Sequence, residues 1–152
     1  MDALDYKIIR ALMDNGRITW AELAGLLSLS SPATADRVRR LEDQGIIKGY
    51  TTLIDAESAG YGLTALIAVS LERPGHREAF LNKVMMVPEI LECHHTAGDD
   101  DYMLKVRCRG TRDLDRIISD ELKSLPGIVR TRTTIVLSTL KETSNVPLAC
   151  AE

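Results

Sequence analysis

Residues 19–44 read TWAELAGLLSLSSPATADRVRRLEDQ, and this stretch decides the fold of the first third of the chain. Thr19 followed three residues later by Glu22 has the form of a capping box, where hydroxyl and carboxylate each satisfy a backbone N–H at a helix start. Trp20, Leu23, Ala24 and Leu27 recur at i, i+3, i+4 and i+7, which predicts a single apolar face. Ser28, Leu29 and Ser30 break that pattern. Ser31 followed by Pro32 supplies a cap and a proline at the first helical position, so the next helix is expected from Pro32 to about Gln44, ending at Gly45. On its wheel Thr34, Val38 and Leu41 share one side. Pro32, Ala33, Asp36, Arg39, Arg40 and Asp43 share the other, with Arg37 at a flank. Two helices joined by roughly three residues fit a helix-turn-helix.

Upstream, Leu4, Ile8, Ile9 and Leu12 predict a preceding helix, with Asp2 as its cap and Asn15-Gly16 as its stop. Residues 1–49 therefore read as a three-helix, winged-type helix-turn-helix. Downstream, Ile46-Ile47 and Tyr50 to Ile54 look like short strands, and Ala59 to Gly62 like a hinge, so residues 50–62 are expected to link two domains.

From residue 63 the period changes. Leu63, Ala65, Ile67, Val69 and Leu71 alternate as in a half-buried strand. Phe80, Leu81, Val84 and Met85 give a helical face. Ile90 to Thr96 reads as a strand, and Tyr102, Leu104, Val106 and Cys108 as another, across a turn at Gly98 to Asp101. Leu114, Ile117, Ile118, Leu122 and Leu125 predict a second helix, stopped by Pro126-Gly127. Val129, Thr131, Thr133, Ile135 and Leu137 predict the last strand. The order βαββαβ over residues 63–142 is that of a ferredoxin-like fold, which makes the whole chain α+β. Leu66, Ala68, Val136 and Leu140 make the second sheet face apolar, so a partner chain is expected to cover it. Residues 143–152 are expected to form a loosely ordered tail.

The 152 residues suffice for one large domain or two small ones, and 45% hydrophobic with 27% charged residues fits a folded chain rather than a disordered one. The net charge is −3, and residues 1–50 hold seven acids and seven bases, so any nucleic-acid binding must come from a local patch. Aromatic content of 4% does not suit base-stacking platforms. No run of about 18 apolar residues predicts a membrane span, and the acidic start, Met1 to Asp5, is unlike a secretory signal. Cys93, Cys108 and Cys150 are scattered and odd in number, which points to a reducing cytoplasm rather than a disulfide framework.

The chemistry concentrates in two places. At the start of the third helix, the Ser30 and Ser31 hydroxyls and the free N–H groups suit phosphate, with Thr34 beside them. Arg37, Arg39 and Arg40 can reach phosphates or a guanine edge. The alternative is a merely solvated face, since Asp36, Glu42 and Asp43 surround those arginines. The second place is Gly98-Asp99-Asp100-Asp101-Tyr102, which reads either as a solvent-facing turn or as a site where carboxylates accept from an ammonium group. Three adjacent acids lack the spaced ligands of a calcium loop. Cys93 and His95 share a strand face but have no second pair of metal-ligand spacing, so no metal is expected. No nucleophile–base set, Walker loop or dinucleotide motif is present, so no enzyme is expected and no cofactor.

The segments LDYKIIRALMDNGRITWAELA (residues 4–24), RVRRLEDQGIIKGYTTLID (37–55), AGDDDYMLKVR (97–107) and LPGIVRTRTTIVL (125–137) resemble the Lrp/AsnC family of regulators in order and spacing. One departure is visible: the proline opening the third helix falls one place later than the family's Ser-Pro. The resemblance implies an N-terminal DNA-binding head and a C-terminal module that dimerises, assembles into octamers or similar rings, and senses an amino acid between dimers. It places that effector at Gly98, Asp99 and Asp101 and at Thr133, Thr134, Ile135 and Val136, with His95 beside them. The expected function is a cytoplasmic, amino-acid-responsive transcription regulator acting on double-stranded DNA. The rival readings are a sensing module that controls a partner protein and a sequence-tolerant DNA-compacting protein.

Overall fold

The computed structural model of the chain describes residues 1–148; Cys150 and the rest of the expected tail beyond residue 148 lie outside them. Two compact units result, one of residues 1–53 with the C-terminal segment from Glu142, the other of residues 54–141.

The first unit holds three helices: α1 (Ala3–Asp14), α2 (Trp20–Leu27) and α3 (Ser31–Asp43). Local chemistry sets each start. Asp2 and Asp5 exchange side chain for backbone N–H as a capping box on α1, and Thr19 and Glu22 do the same on α2. The α3 cap is Ser30, whose hydroxyl accepts from the Ala33 N–H at 3.4 Å; Ser31 is the first helical residue and Pro32 the second, one place earlier than the serine–proline pair alone predicts. Ser28 ends α2 in the left-handed conformation at φ 55°. Ile8, Ile9, Leu23, Leu27, Val38 and Leu41 form the core, and Leu148 of the C-terminal segment packs against it. Arg10 donates from its guanidinium to the Leu148 carbonyl at 3.5 Å. Trp20 departs from the predicted apolar face: it is half exposed, because the first residue of α2 projects beyond the short helix–helix seam. The expected strands at Ile46-Ile47 and Tyr50 to Ile54 do not form. Leu53 and Ile54 are exposed there, and an extended segment with no neighbouring strand has no ladder to join.

The second unit is a four-stranded antiparallel sheet: β1 (Leu63–Leu71), β2 (Ile90–His95), β3 (Tyr102–Cys108) and β4 (Ile128–Val136), in the order β2-β3-β1-β4. The connections are α4 (Arg77–Met86) and α5 (Thr111–Arg116), which runs on as π-helical turns over Ile117–Leu122. This is the ferredoxin-like arrangement predicted. Alternation along β1 and β3 buries Ala65, Ile67, Val69, Tyr102, Leu104, Val106 and Cys108 against Phe80, Val84, Leu114, Ile117 and Leu122. Met85 is exposed rather than on that face, since the helix turns it outward past Val84. The opposite sheet face is mixed, not apolar. Register places Lys105, Arg107, Glu92, His94, Arg130 and Arg132 there among Leu66, Ala68, Met103 and Val136, while Leu140 lies beyond β4.

Gly127 closes the turn into β4 with φ +87°, and its carbonyl accepts from the Glu72 N–H at 2.7 Å. A Cβ at this position would lie 2.2 Å from Cγ and Cδ2 of the His76 ring and 2.7 Å from the His76 Cβ. Gly127→Ala should therefore cost about 2 kcal/mol or more in denaturant unfolding, and adding His76→Ala should recover only the part due to the ring, because the Cβ at position 76 stays 2.7 Å away and the left-handed strain of about 1 kcal/mol remains. Equal stability of Gly127→Ala and wild type would contradict this.

Candidate functional site

The exposed side of α3 offers Ser31, Pro32, Ala33, Asp36, Arg39 and Arg40 to solvent. Small residues at its start allow close approach of another molecule to the helix backbone, whose first N–H groups have no intrahelical partner. Thr34 is not on this surface. It is fully buried, and its hydroxyl donates to the Ser30 carbonyl at 3.0 Å, so it holds the helix start from within.

The arginines divide by role. Asp5 on α1 is buried, with its side chain 4% exposed. Arg37 donates to Asp5 and to Asp2, each at 2.8 Å, and Arg40 donates to both Asp5 oxygens at 2.9 and 3.1 Å. These two predicted contact residues therefore join α3 to α1. Arg40 keeps half of its side chain exposed and Arg37 a quarter. Arg39 turns outward and pairs with Asp36 at 3.1 Å. Burial pushes the Asp5 carboxyl up, but the Asp2 N–H and Arg37 outweigh it, so its pKa lies below the ordinary 3.8. Asp2 is lowered as well, first by the Asp5 N–H and then by Arg37.

In the second unit the 96–101 loop is tied down at both ends. The Asp101 N–H donates to the Val69 carbonyl at 3.0 Å, and its carboxylate accepts from the Leu71 N–H at 2.7 Å. Thr96 donates to the Asp101 carbonyl through its N–H and to the Asp100 carbonyl through its hydroxyl. Asp101 thus spends a carboxylate oxygen on the fold, while Gly98 and Asp99 stay exposed. His95 lies opposite Tyr102, with ring centroids 5.1 Å apart, at the same end of the sheet. Thr133 to Val136 occupy the far part of β4, opposite Ile67 to Thr64, with β1 and β3 between them and His95. Thr133 and Ile135 face the helices, whereas Thr134 and Val136 face away. Within one chain the expected effector residues therefore form two groups.

Sequence reading missed a third cluster. Asp100, nearly buried, accepts from Ser70 at 2.8 Å, Arg130 at 3.0 Å and Arg132 at 2.6 Å. The Ser70 bond and then the two arginines hold its pKa below the usual value. Its only sequence signal was the alternation Arg130-x-Arg132, which puts two cations on one face of a strand. Among the described residues no group of three or more His, Cys, Asp or Glu side chains is placed to hold a metal. Burial raises the pKa of both Cys93 and Cys108, which keeps them thiols.

The ion-pair assignment makes a distinct prediction. Because Asp2 and Asp5 have lowered folded-state pKa values, they stabilise the head above pH 3.8 and lose that contribution as pH falls through the lowered values. Asp5→Asn should cost about 2 kcal/mol at pH 7. Arg37→Ala should lower the melting temperature of the head at pH 7, and the gap from wild type should narrow below pH 3.8. Arg39→Ala should leave melting unchanged. Equal melting of all three variants would remove the network from the account.

Comparison with known proteins gives two family matches along the chain. Residues 1–48 match the winged helix-turn-helix DNA-binding family, and residues 64–146 match the Lrp/AsnC ligand binding domain. The HTH-type transcriptional regulator FL11 of Pyrococcus horikoshii is 34% identical over 97% of each chain. The leucine-responsive regulatory protein of Haemophilus influenzae is 36% identical over 95% of this chain and 88% of that one. A transcriptional regulator from Neisseria meningitidis, solved in complex with L-Met, superposes with a TM-score of 0.92 at 34% identity, over 97% of this chain and 96% of that one. A capped helix-turn-helix head, a ferredoxin-like second unit and similarity over nearly the full length have one explanation: the chain belongs to the Lrp/AsnC family of DNA-binding transcriptional regulators.

Proposed function

We propose that the chain is a cytoplasmic, sequence-specific regulator of genes of amino-acid metabolism, and that an amino acid bound between its dimers controls it. Residues 1–49 form the reading head, 50–62 the linker and 63–142 the sensing and assembly module, with 143–152 as its tail. Homodimers, assembling to octamers or similar rings, would present paired heads to half-sites about 34 Å apart. On each head Ser30, Ser31 and Arg39 meet the duplex directly, while Arg40 reaches it with the half of its surface that Asp5 leaves free. Arg37 contributes chiefly by fixing the helix, and Thr34 by holding its start.

The observation that carries the sensing half is the anchored loop. Asp101 and Thr96 fix its ends and leave Gly98 and Asp99 facing out, so an ammonium group can be met by a preset carboxylate and carbonyl edge. Thr133, Thr134, Ile135 and Val136 lie too far along β4 to close the same pocket in one chain, which favours a site completed by a neighbouring copy. The L-Met complex of the Neisseria protein supports the class of ligand. An effector acts only through its differential affinity for two states of the assembly.

Thermal shift over the common amino acids tests this. One ligand at a hundred times its Kd should add about 2.7 kcal/mol of stability. Asp99→Ala should abolish the shift without lowering the melting temperature of the unliganded protein. A flat response across the panel would remove the amino acid from the proposal. Equal affinity for promoter and random duplex would instead favour a DNA-compacting role, and binding of protein but no duplex a partner-controlling one.

A further inference from the structure

Arg39 and Asp36 form a pair with a chemistry the rest of α3 lacks. Of the three arginines between residues 37 and 40, Arg37 and Arg40 hold Asp5. Arg39 faces solvent with its side chain 68% exposed, and its Nη1 donates to Asp36 Oδ1 across one turn. A lone solvated arginine samples many rotamers and binds phosphate at any sequence. A carboxylate one turn earlier restricts those rotamers and occupies Nη1. It leaves the parallel Nε and Nη2 donors pointing outward, a fork that matches N7 and O6 of guanine. The same carboxylate neutralises the spot, so the pair gains little from a phosphate and much from a base edge of the right shape. Ser31, Pro32 and Ala33, toward the helix start, are small enough to let this face sit deep in a groove.

We propose that Arg39 reads a guanine in each half-site and that Asp36 is the positioning residue that aims it and suppresses its binding to phosphate. This rests on the DNA-reading function proposed above.

The test uses the full-length protein. Duplexes are selected from a random library, and affinity is then measured for the selected duplex and for copies carrying 7-deazaguanine, which lacks N7, at single positions. Wild type should lose roughly tenfold at one guanine per half-site. Arg39→Lys, which keeps the charge but not the fork, should bind the selected duplex more weakly and no longer distinguish guanine from 7-deazaguanine there. Asp36→Asn should shrink that discrimination to a few-fold and tighten binding to random duplex, and Asp36→Glu should restore it. If Arg39→Lys still discriminates, or if Arg39→Ala weakens every duplex equally with a salt slope smaller by about one, the arginine touches phosphate and the inference fails. If wild type selects no sequence or binds no duplex, the reading-head function itself fails, and the pair with it.

Discussion

One buried carboxylate organises the helical head. Asp5 sits at the start of α1, accepts the Asp2 N–H from its own capping box, and receives two guanidinium groups from α3. Burying a charge is costly unless its lone pairs are met by donors, and here each oxygen has two, Arg37 and Arg40 on Oδ1, the Asp2 N–H and Arg40 on Oδ2. The arrangement needs α1 and α3 at one fixed approach, because the Arg37 and Arg40 donors must reach the same small target. It ties the orientation of the exposed α3 face to the first turn of the chain. It also divides the three α3 arginines: Arg37 is drawn inward, Arg40 by half, and Arg39 pairs with Asp36 on the outer surface.

The second unit solves a similar problem with backbone groups. The register between β1 and β4 slips at Ser70 and Leu71. On its other edge β1 loses its partner after Val69, which lies opposite Tyr102, so the Leu71 N–H has no strand to join and goes to the Asp101 carboxylate instead. Next to it, Ser70 and the two β4 arginines hold Asp100. A run of three acids, which by itself reads as a solvent-facing turn or a site for an ammonium group, is thereby built into the sheet through two of its members. Asp99 is the one whose carboxylate remains exposed.

Much of this was legible from residue types and spacing. The cap at Asp2 and the capping box at Thr19 declare helix starts because the hydrogen bonds are local, and the alternation from Leu63 to Leu71 declares a strand because one face is buried. Register and ion pairing are not local, and these were the points where reading stopped. Arg37 lies at the flank of the helical wheel, and the wheel does not say that its long side chain folds back onto another helix. Nothing local marks Asp5 as the target of arginines 32 and 35 residues away. Ile46 to Ile54 carry strand-forming residues, but a strand needs a neighbour, and sequence alone does not reveal whether one is available. Thr133 to Val136 are consecutive, yet the pleat sends them to opposite faces, so at most half of them can line any one surface.

The head's charge balance constrains how it can act on DNA. Seven acids against seven bases in residues 1–50 leave it with no net attraction to a polyanion. Non-specific affinity arises almost wholly from neutralised phosphates and released counterions, so a head without net charge gets it only from the cations of a local patch. What remains is the shape of the α3 surface and the few directed donors on it, which on the proposed reading discriminate between bases and supply modest total affinity. Joining heads makes the second contact intramolecular and multiplies weak binding without adding net charge to any head. A neutral head joined to a module that, as proposed, brings copies together is consistent on these terms. The head supplies selectivity, the proposed assembly supplies strength, and a ligand that altered the assembly would change occupancy while leaving the base-reading surface intact.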